Sequence, residues 1–156
     1  MRTLYFDING TLLVGDGGAV KPRLGEGRLE DAVRAKGFER LVCVSTLVRS
    51  IRLAERSGRI SDPPRILFEL CRGAFRDEAW FRDHTVLPEN VSPRLACIDL
   101  EGDWWYLDDF AAAYCGDAGR DDLFRDHEGG RICQPEPRGD GADIIRWIDS
   151  IPDPGS

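Results

Sequence analysis

The sequence is short of positive charge and has no long hydrophobic run. Its 21 Lys and Arg residues stand against 28 Asp and Glu residues, which gives a formal net charge of −7. Nucleic acids and anionic membranes bind non-specifically through a basic surface, so this balance argues against both as partners. No run of about 18 apolar residues occurs, which argues against a membrane span. Because Asp7 also interrupts any signal-peptide pattern, we expect a cytoplasmic protein.

Cysteine and histidine are too few and too scattered to predict a zinc centre or a disulfide framework. The five cysteines are widely spaced, none forms a C-x-x-C pair, and neither of the two histidines stands beside one. Zinc sites and disulfide-rich folds need closely spaced ligands or paired cysteines. We expect His84 and His127, which lie among charged residues, to be surface residues.

The length and the apolar content predict one folded domain. The chain has 156 residues, of which 42% are hydrophobic, and this is enough for an ordinary core. We expect a single domain over residues 1–151. Residues 152–156 are rich in Pro and Gly, and we expect them to form a flexible C-terminal tail.

Apolar patterns along the chain predict alternating strands and helices. Strands are predicted at 4–7, 40–46, 84–87, 104–109 and 132–133, a hairpin at 14–20, and helices at 25–36, 48–56, 63–75, 93–98, 110–114 and 143–151. An extension of the third helix through residue 81 stays open, and 116–130 is predicted as loops with a short strand near 123–124. Continuous apolar runs are typical of strands covered on both faces. We therefore predict an α/β fold: a three-layer, Rossmann-like parallel sheet with helices on both faces.

Three of the predicted strands end in polar side chains that could meet at one site. Asp7 ends the first strand, Ser45 and Thr46 end the second, and Asp108 and Asp109 end the strand at 104–109. The carboxyl ends of parallel strands lie on one edge of a sheet, where open α/β folds bind their ligands. Carboxylate oxygens suit Mg²⁺. Any one of these residues alone would be better explained as a helix cap, but three in this order favour a site.

The stretch from Asp7 to Thr11 (Asp-Ile-Asn-Gly-Thr) resembles the first motif of the haloacid dehalogenase superfamily, commonly Asp-x-Asp-Gly-Thr. The superfamily also carries a Ser or Thr after its second strand and an acidic pair after a later one. Ser45, or its neighbour Thr46, and the Asp108-Asp109 pair match in order and context. The resemblance extends from about residue 3 to the C-terminal helix and implies a haloacid dehalogenase-like fold.

The resemblance implies a role for each matching residue. Asp7 would attack phosphorus and form an aspartyl-phosphate. Ser45 would hydrogen-bond a phosphoryl oxygen, helped by Thr46 and by the backbone of Gly10 and Thr11. Mg²⁺ would shield the charge between nucleophile and phosphate. Its ligands would be Asp7, the backbone carbonyl of Asn9, Asp108 and Asp109.

Two departures from the family pattern bear on catalysis. Asn9 stands where family phosphatases have an Asp that protonates the leaving group and later activates water; an amide does neither. The only lysines, Lys21 and Lys36, precede the second strand, so neither fits the family's late basic residue. Arg94, at the start of a short helix, is the best substitute, and Arg82 is second. An Arg keeps its charge and can grip phosphate through two hydrogen bonds.

The spacing of the motifs leaves no room for a large cap domain. About 30 residues separate the first motif from the second strand, enough for a flap and one helix. An uncapped site suits a large phosphorylated substrate or a partner that supplies the lid; the oligomeric state stays undetermined. We expect a Mg²⁺-dependent phosphohydrolase, with activity reduced by Asn9. The alternative is a non-catalytic module that binds a phosphorylated ligand or a protein partner. A dehalogenase fits poorly, because those enzymes close a cap over a small substrate.

Overall fold

The computed structural model describes residues 1–155, and its centre is a five-stranded parallel sheet. The strands are β1 (Arg2–Phe6), β2 (Leu13–Asp16), β3 (Ala19–Pro22), β4 (Arg40–Cys43), β5 (Thr85–Val86), β6 (Asp103–Leu107) and β7 (Ile132–Cys133). The sheet order is β5-β4-β1-β6-β7, and every neighbouring pair is parallel. Strand β1 lies in the middle, and all five of its residues are buried. Its apolar run therefore predicted a strand covered on both faces correctly.

Helices cover both faces of this sheet, which confirms the three-layer α/β prediction. The helices are α1 (Arg28–Ala35), α2 (Leu47–Arg56), α3 (Pro63–Leu70), α4 (Glu78–His84), α5 (Ala111–Asp117), α6 (Asp121–His127) and α7 (Ala142–Ser150). One core layer joins Leu4 and Phe6 of β1 to α1–α4 and α7. The other joins Tyr5 to α5, α6 and a 3₁₀ helix at Arg94–Cys97. The alternation of β1 side chains between the two layers is that of a strand with period two.

The hairpin predicted near 14–20 is present as the antiparallel pair β2 and β3. All four residues of β3 are exposed, so the hairpin projects from the body as a small flap. Only this flap and α1 separate β1 from β4. In residues 1–155, no large covering domain is inserted there.

Several predicted boundaries were wrong, each for a local reason. Residues 121–127 form α6 instead of loop and strand. Its acidic first turn and basic last turn suit the helix dipole. The helix buries only Leu123, so its sequence shows no helical hydrophobic pattern. The helix predicted to run from 63 to 75 ends at Leu70, because Arg72 and Gly73 adopt positive φ angles. Asp77 then caps α4 as a separate helix, its side chain accepting a hydrogen bond from the Trp80 amide at 3.0 Å.

The C-terminal segment contacts the first strand. The Pro152 carbonyl accepts a hydrogen bond from Arg2 at 2.7 Å, and Asp153 forms an ion pair with Lys36 at 3.2 Å. The flexibility of residues 152–156 stays a prediction, and Ser156 lies outside the described residues. Among residues 1–155, no helix combines the length and the apolar character that crossing a bilayer requires.

Candidate functional site

The acidic ends of β1 and β6 lie side by side at the carboxyl edge of the sheet. The parallel register pairs Phe6 with Leu107, and it continues one residue further because the Asp7 amide donates to the Leu107 carbonyl at 3.0 Å. The Asp108 amide likewise donates to the Cys133 carbonyl at 3.1 Å, which fixes the backbone beside β7. Carboxylate oxygens of Asp7, Asp108 and Asp109 all lie within 4.8 Å of one another. Adjacent strands thus bring three acidic side chains into one cluster, called here the acidic triad.

Arg94 is the positive group of this cluster. Its Nη1 donates to Asp7 Oδ1 at 3.0 Å and to Asp108 Oδ2 at 2.7 Å. The Arg94, Asp7 and Asp108 side chains are only 3%, 7% and 0% exposed, so water hardly screens the two ion pairs. The guanidinium also lies over the Tyr114 ring, 3.9 Å from its centre, in a cation–π contact. The start of the 3₁₀ helix thus places one guanidinium against two of the three carboxylates.

Burial and neighbouring charges both shift the pKa values of these groups. Burial raises the pKa of Asp7 to about 7; the Asp108 carboxylate adds to the rise and Arg94 opposes it. Burial also raises the pKa of Asp108, although the hydrogen bond from Tyr106 and the charge of Arg94 each lower it. For Arg94, burial lowers the pKa, but the carboxylates of Asp108 and Asp7 more than reverse this effect. Near neutral pH, burial and mutual repulsion therefore favour the uptake of a proton by this pair of carboxyl groups.

Thr11 links two of the carboxylates through one hydroxyl group. Its Oγ1 lies 3.1 Å from Asp7 Oδ2 and 3.1 Å from Asp109 Oδ1, and it accepts a hydrogen bond from the Asp109 amide at 2.9 Å. A hydroxyl has one proton, so it can donate fully to only one of the two carboxylates. Three carboxylates thus face one guanidinium group and one hydroxyl proton, which together cannot neutralise them. This all-oxygen donor set fits a divalent cation such as Mg²⁺.

Gly10 makes room for this arrangement. Its φ angle is +82°, and a Cβ atom built on it would lie 2.1 Å from Asp109 Oδ2. A side chain at this position is therefore unfavourable for two reasons: the positive φ angle and the contact with the Asp109 carboxylate. The glycine of the first motif lets the loop pass directly beside the acidic triad.

Gly10→Ala should therefore destabilise the protein more than the same change at Gly58. Both positions have positive φ (+82° and +76°), so both variants carry the left-handed strain of about 1–2 kcal/mol, but a Cβ at Gly58 meets nothing within 4 Å. Urea unfolding of the two variants measures the difference. We also expect only Gly10→Ala to weaken Mg²⁺ binding, because Asp109 must move. Equal losses of stability would contradict this packing.

Two residues that sequence reasoning missed also hold the site. Tyr106 donates its hydroxyl proton to Asp108 Oδ2 at 2.6 Å, and buried Arg23 donates to the Gly10 carbonyl at 2.8 Å and the Glu136 carbonyl at 2.6 Å. Strand period predicts the first of these, since Tyr106 stands two residues before Asp108 on the same face. No spacing rule predicts the second, because Arg23 joins the first-motif loop to residues more than 100 positions away.

Other predicted site residues lie apart from these contacts. The Ser45 hydroxyl is buried and accepts a hydrogen bond from the Leu47 amide at 3.2 Å, in a local turn just before α2. Thr46 and the Asn9 side chain are exposed. Arg82 forms an ion pair with Asp62 at 2.8 Å, and no described contact joins it to the acidic triad. Arg94, and not Arg82, is therefore the arginine at the acidic triad.

Comparisons of this chain with protein-family models, with curated proteins and with solved structures find no match.

Proposed function

We propose that this protein is a Mg²⁺-dependent phosphohydrolase without a large cap, of the haloacid dehalogenase type, that cleaves phosphomonoesters through an aspartyl-phosphate at Asp7. The observation that carries the proposal is the contact of Asp7 with Arg94 inside a triad of carboxylates. This cluster lies at the carboxyl edge of a parallel sheet, and its first residue, Asp7, shortly precedes a Gly-Thr turn. Each group in it has a use in phosphoryl transfer, and few other reactions need all of them together.

The acidic triad supports a metal site. Asp7, Asp108 and Asp109 would supply carboxylate ligands, and the resemblance adds the Asn9 backbone carbonyl. When bound, Mg²⁺ supplies positive charge between the nucleophile and the phosphoryl oxygens. The excess negative charge of the triad favours this ion, since Arg94 and Thr11 together provide too few positive groups and protons.

Asp7 is suited to act as the nucleophile. In the proposed step, a carboxylate oxygen of Asp7 forms a bond to phosphorus while the bond from phosphorus to the leaving oxygen breaks. Arg94 and Thr11 hold the two oxygens of Asp7 from opposite sides, which fixes the carboxylate before substrate arrives. A positioned nucleophile saves the entropy of finding the attacking geometry. Water then cleaves the acyl phosphate and restores Asp7.

Asn9 limits this reaction. Its amide cannot give a proton to the leaving oxygen or take one from water at useful rates. Substrates whose leaving group departs as an anion, such as aryl phosphates, escape the first limit but not the second. Hydrolysis of the aspartyl-phosphate is therefore the slow step that we propose.

The open edge of the sheet supports a phosphorylated substrate of some size, such as a phosphorylated macromolecule end. The flap formed by β2 and β3 is short, and all four residues of β3 are exposed. We propose a cytoplasmic location, where thiols stay reduced, consistent with five free cysteines.

A binding module is the second candidate, and one observation favours it. Nη1 of Arg94 already pairs with both Asp7 and Asp108, an arrangement that would also suit a structural cluster. With Asn9 unable to move a proton, such a module would bind a phosphorylated ligand or a protein partner without turnover.

Asn9→Asp should separate the two candidates. Restoring a carboxylic acid at this position should raise the steady-state rate of p-nitrophenyl phosphate hydrolysis with Mg²⁺ by about 10²–10⁴-fold, the usual size of general acid–base help. Release of p-nitrophenolate, followed by absorbance, measures it. Ser61→Asp, which adds the same charge at an exposed residue outside both the acidic triad and the helices, serves as a control and should leave the rate unchanged. No activity in either the parent or the Asn9→Asp protein would reject the enzyme for simple esters and favour the module.

A further inference from the structure

One face of α2 is basic although the whole chain is acidic. Arg49, Arg52 and Arg56 follow one another at spacings of three and four residues, so they lie on the same side of the helix. The opposite side carries Val48 and Ile51, which are buried in the core. The whole chain has a net charge of −7, so this face is a positively charged patch on a negatively charged protein.

A cavity lies between this face and the loop after β5. Its volume is about 320 Å³, and its lining includes the three arginines together with Glu89 and Asn90. Cavities of roughly 300 Å³ and above are large enough for small ligands. The lining thus combines three guanidinium groups, one carboxylate and one amide. We call it the arginine cavity.

The contacts within the arginine cavity leave positive charge over. Glu89 forms ion pairs with both Arg52 (3.6 Å) and Arg56 (3.3 Å). Arg52 also forms an ion pair with Glu55 and donates a hydrogen bond to the Leu87 carbonyl. Across residues 1–155, no described hydrogen bond or ion pair involves the guanidinium group of Arg49. The Nε of Arg52 is buried and has no hydrogen-bond partner. A buried donor without an acceptor is unfavourable unless a ligand or water supplies one.

We propose that the arginine cavity is a second oxyanion site, which takes a phosphate group. Guanidinium groups bind phosphate through charge-assisted hydrogen bonds, and Asn90 adds an amide donor. The position suits the candidate active site: α2 begins two residues after Ser45, and β5 stands two strands from β1. Two strand spacings separate the ends of β1 and β5 by about 10 Å across the sheet. A substrate with two phosphates would place one at each site. That use of the cavity rests on the proposed function, whereas capture of free phosphate does not.

Titration of inorganic phosphate into the metal-free protein, followed by amide NMR shifts, tests the site. We expect saturable shifts in residues 49–56 and 89–91, distinct from any in the loop after β1. In the double variant Arg49→Gln/Arg56→Gln the dissociation constant at these amides should rise by about tenfold or more. Arg65→Gln, an exposed arginine on α3, should leave it unchanged. Absence of saturable shifts there, or shifts that the double variant retains, would overturn the proposal.

Kinetics then distinguish the two sources of phosphate. If the cavity holds the second phosphate of the substrate, the double variant should raise KM for a hexose bisphosphate about tenfold and leave KM for p-nitrophenyl phosphate unchanged. If neither KM changes while the NMR titration shows the loss, the ligand is free phosphate. A rise in both KM values would assign the arginines to the reacting phosphate and overturn a separate site. Failure of all hydrolysis would reject the proposed function and leave the NMR result standing.

Discussion

Asp7→Asn should abolish Mg²⁺-dependent hydrolysis of p-nitrophenyl phosphate, with a fall in rate on the order of 10⁴-fold or more, the size found when a catalytic group that acts as part of a unit is removed. The amide nitrogen and oxygen of Asn cannot form the acyl phosphate. The substitution keeps the shape of the side chain, so positioning by Arg94 and Thr11 changes little. Initial rates of p-nitrophenolate release at saturating Mg²⁺ measure the effect.

The same substitution should leave the free energy of unfolding equal or higher. Burial and the neighbouring Asp108 raise the pKa of Asp7 to about 7, so ionised Asp7 in the folded protein is less favourable than in the unfolded chain. A neutral amide removes this cost of burying a charge. The cost reaches its full size at pH values above the raised pKa, where Asp7 is fully ionised. Urea unfolding at pH 8 measures it.

Asp122→Asn is the matched control for Asp7→Asn, because Asp122 is an exposed carboxylate paired with Arg120. It should change neither rate nor stability appreciably. Retention of more than a small part of the activity by Asp7→Asn would show that another group attacks phosphorus.

Arg94→Met should be among the most destabilising single substitutions in the chain. It would leave the carboxylates of Asp7 and Asp108 buried without their positive partner, and breaking such a pair costs about 3–5 kcal/mol. Urea unfolding at pH 7 without metal measures the loss. Mg²⁺ should restore part of it, because the ion replaces the missing charge, and the gain should exceed that of the parent protein.

Arg82→Met provides the contrast. Its ion pair with Asp62 is part-exposed, with side chains 38% and 41% accessible, and such pairs contribute about 1 kcal/mol or less. Arg94→Lys should fall between the two, since a lysine keeps the charge but is more strongly hydrated and loses the planar contact with the Tyr114 ring. Similar losses for Arg94→Met and Arg82→Met would contradict the described cluster.

The parts of the site that follow from local rules were predictable from the sequence. An apolar run ending in Asp7, and another ending in Asp108 and Asp109, predict neighbouring carboxylates once both strands are assigned to one parallel sheet. The Gly-Thr turn after Asp7 predicts a close approach of the backbone, which Gly10 makes against Asp109. Order along the chain and strand direction fix these features.

The parts that rest on distant packing were not predictable. Two arginines, Arg82 and Arg94, fitted the late basic position, and only the tertiary structure shows that Arg94 contacts the acidic triad. Arg23 joins two loops that are far apart in sequence, which no periodicity reveals. For Ser45 the phosphate contact stays a prediction: its hydroxyl accepts a hydrogen bond from the Leu47 amide, which leaves the hydroxyl proton available to a ligand.

The first turnover of p-nitrophenyl phosphate, followed by rapid mixing with Mg²⁺, tests most directly whether Asp7 is a nucleophile held in a metal site. Because aryl phosphates need no protonated leaving group while Asn9 cannot activate water, the aspartyl-phosphate should accumulate. We expect a burst of p-nitrophenolate approaching one equivalent per chain, then a slow phase. Borohydride reduction of the quenched protein should convert Asp7 to homoserine, which peptide mass spectrometry identifies. A reaction without a burst, or reduction at any other residue, would contradict nucleophilic catalysis by Asp7.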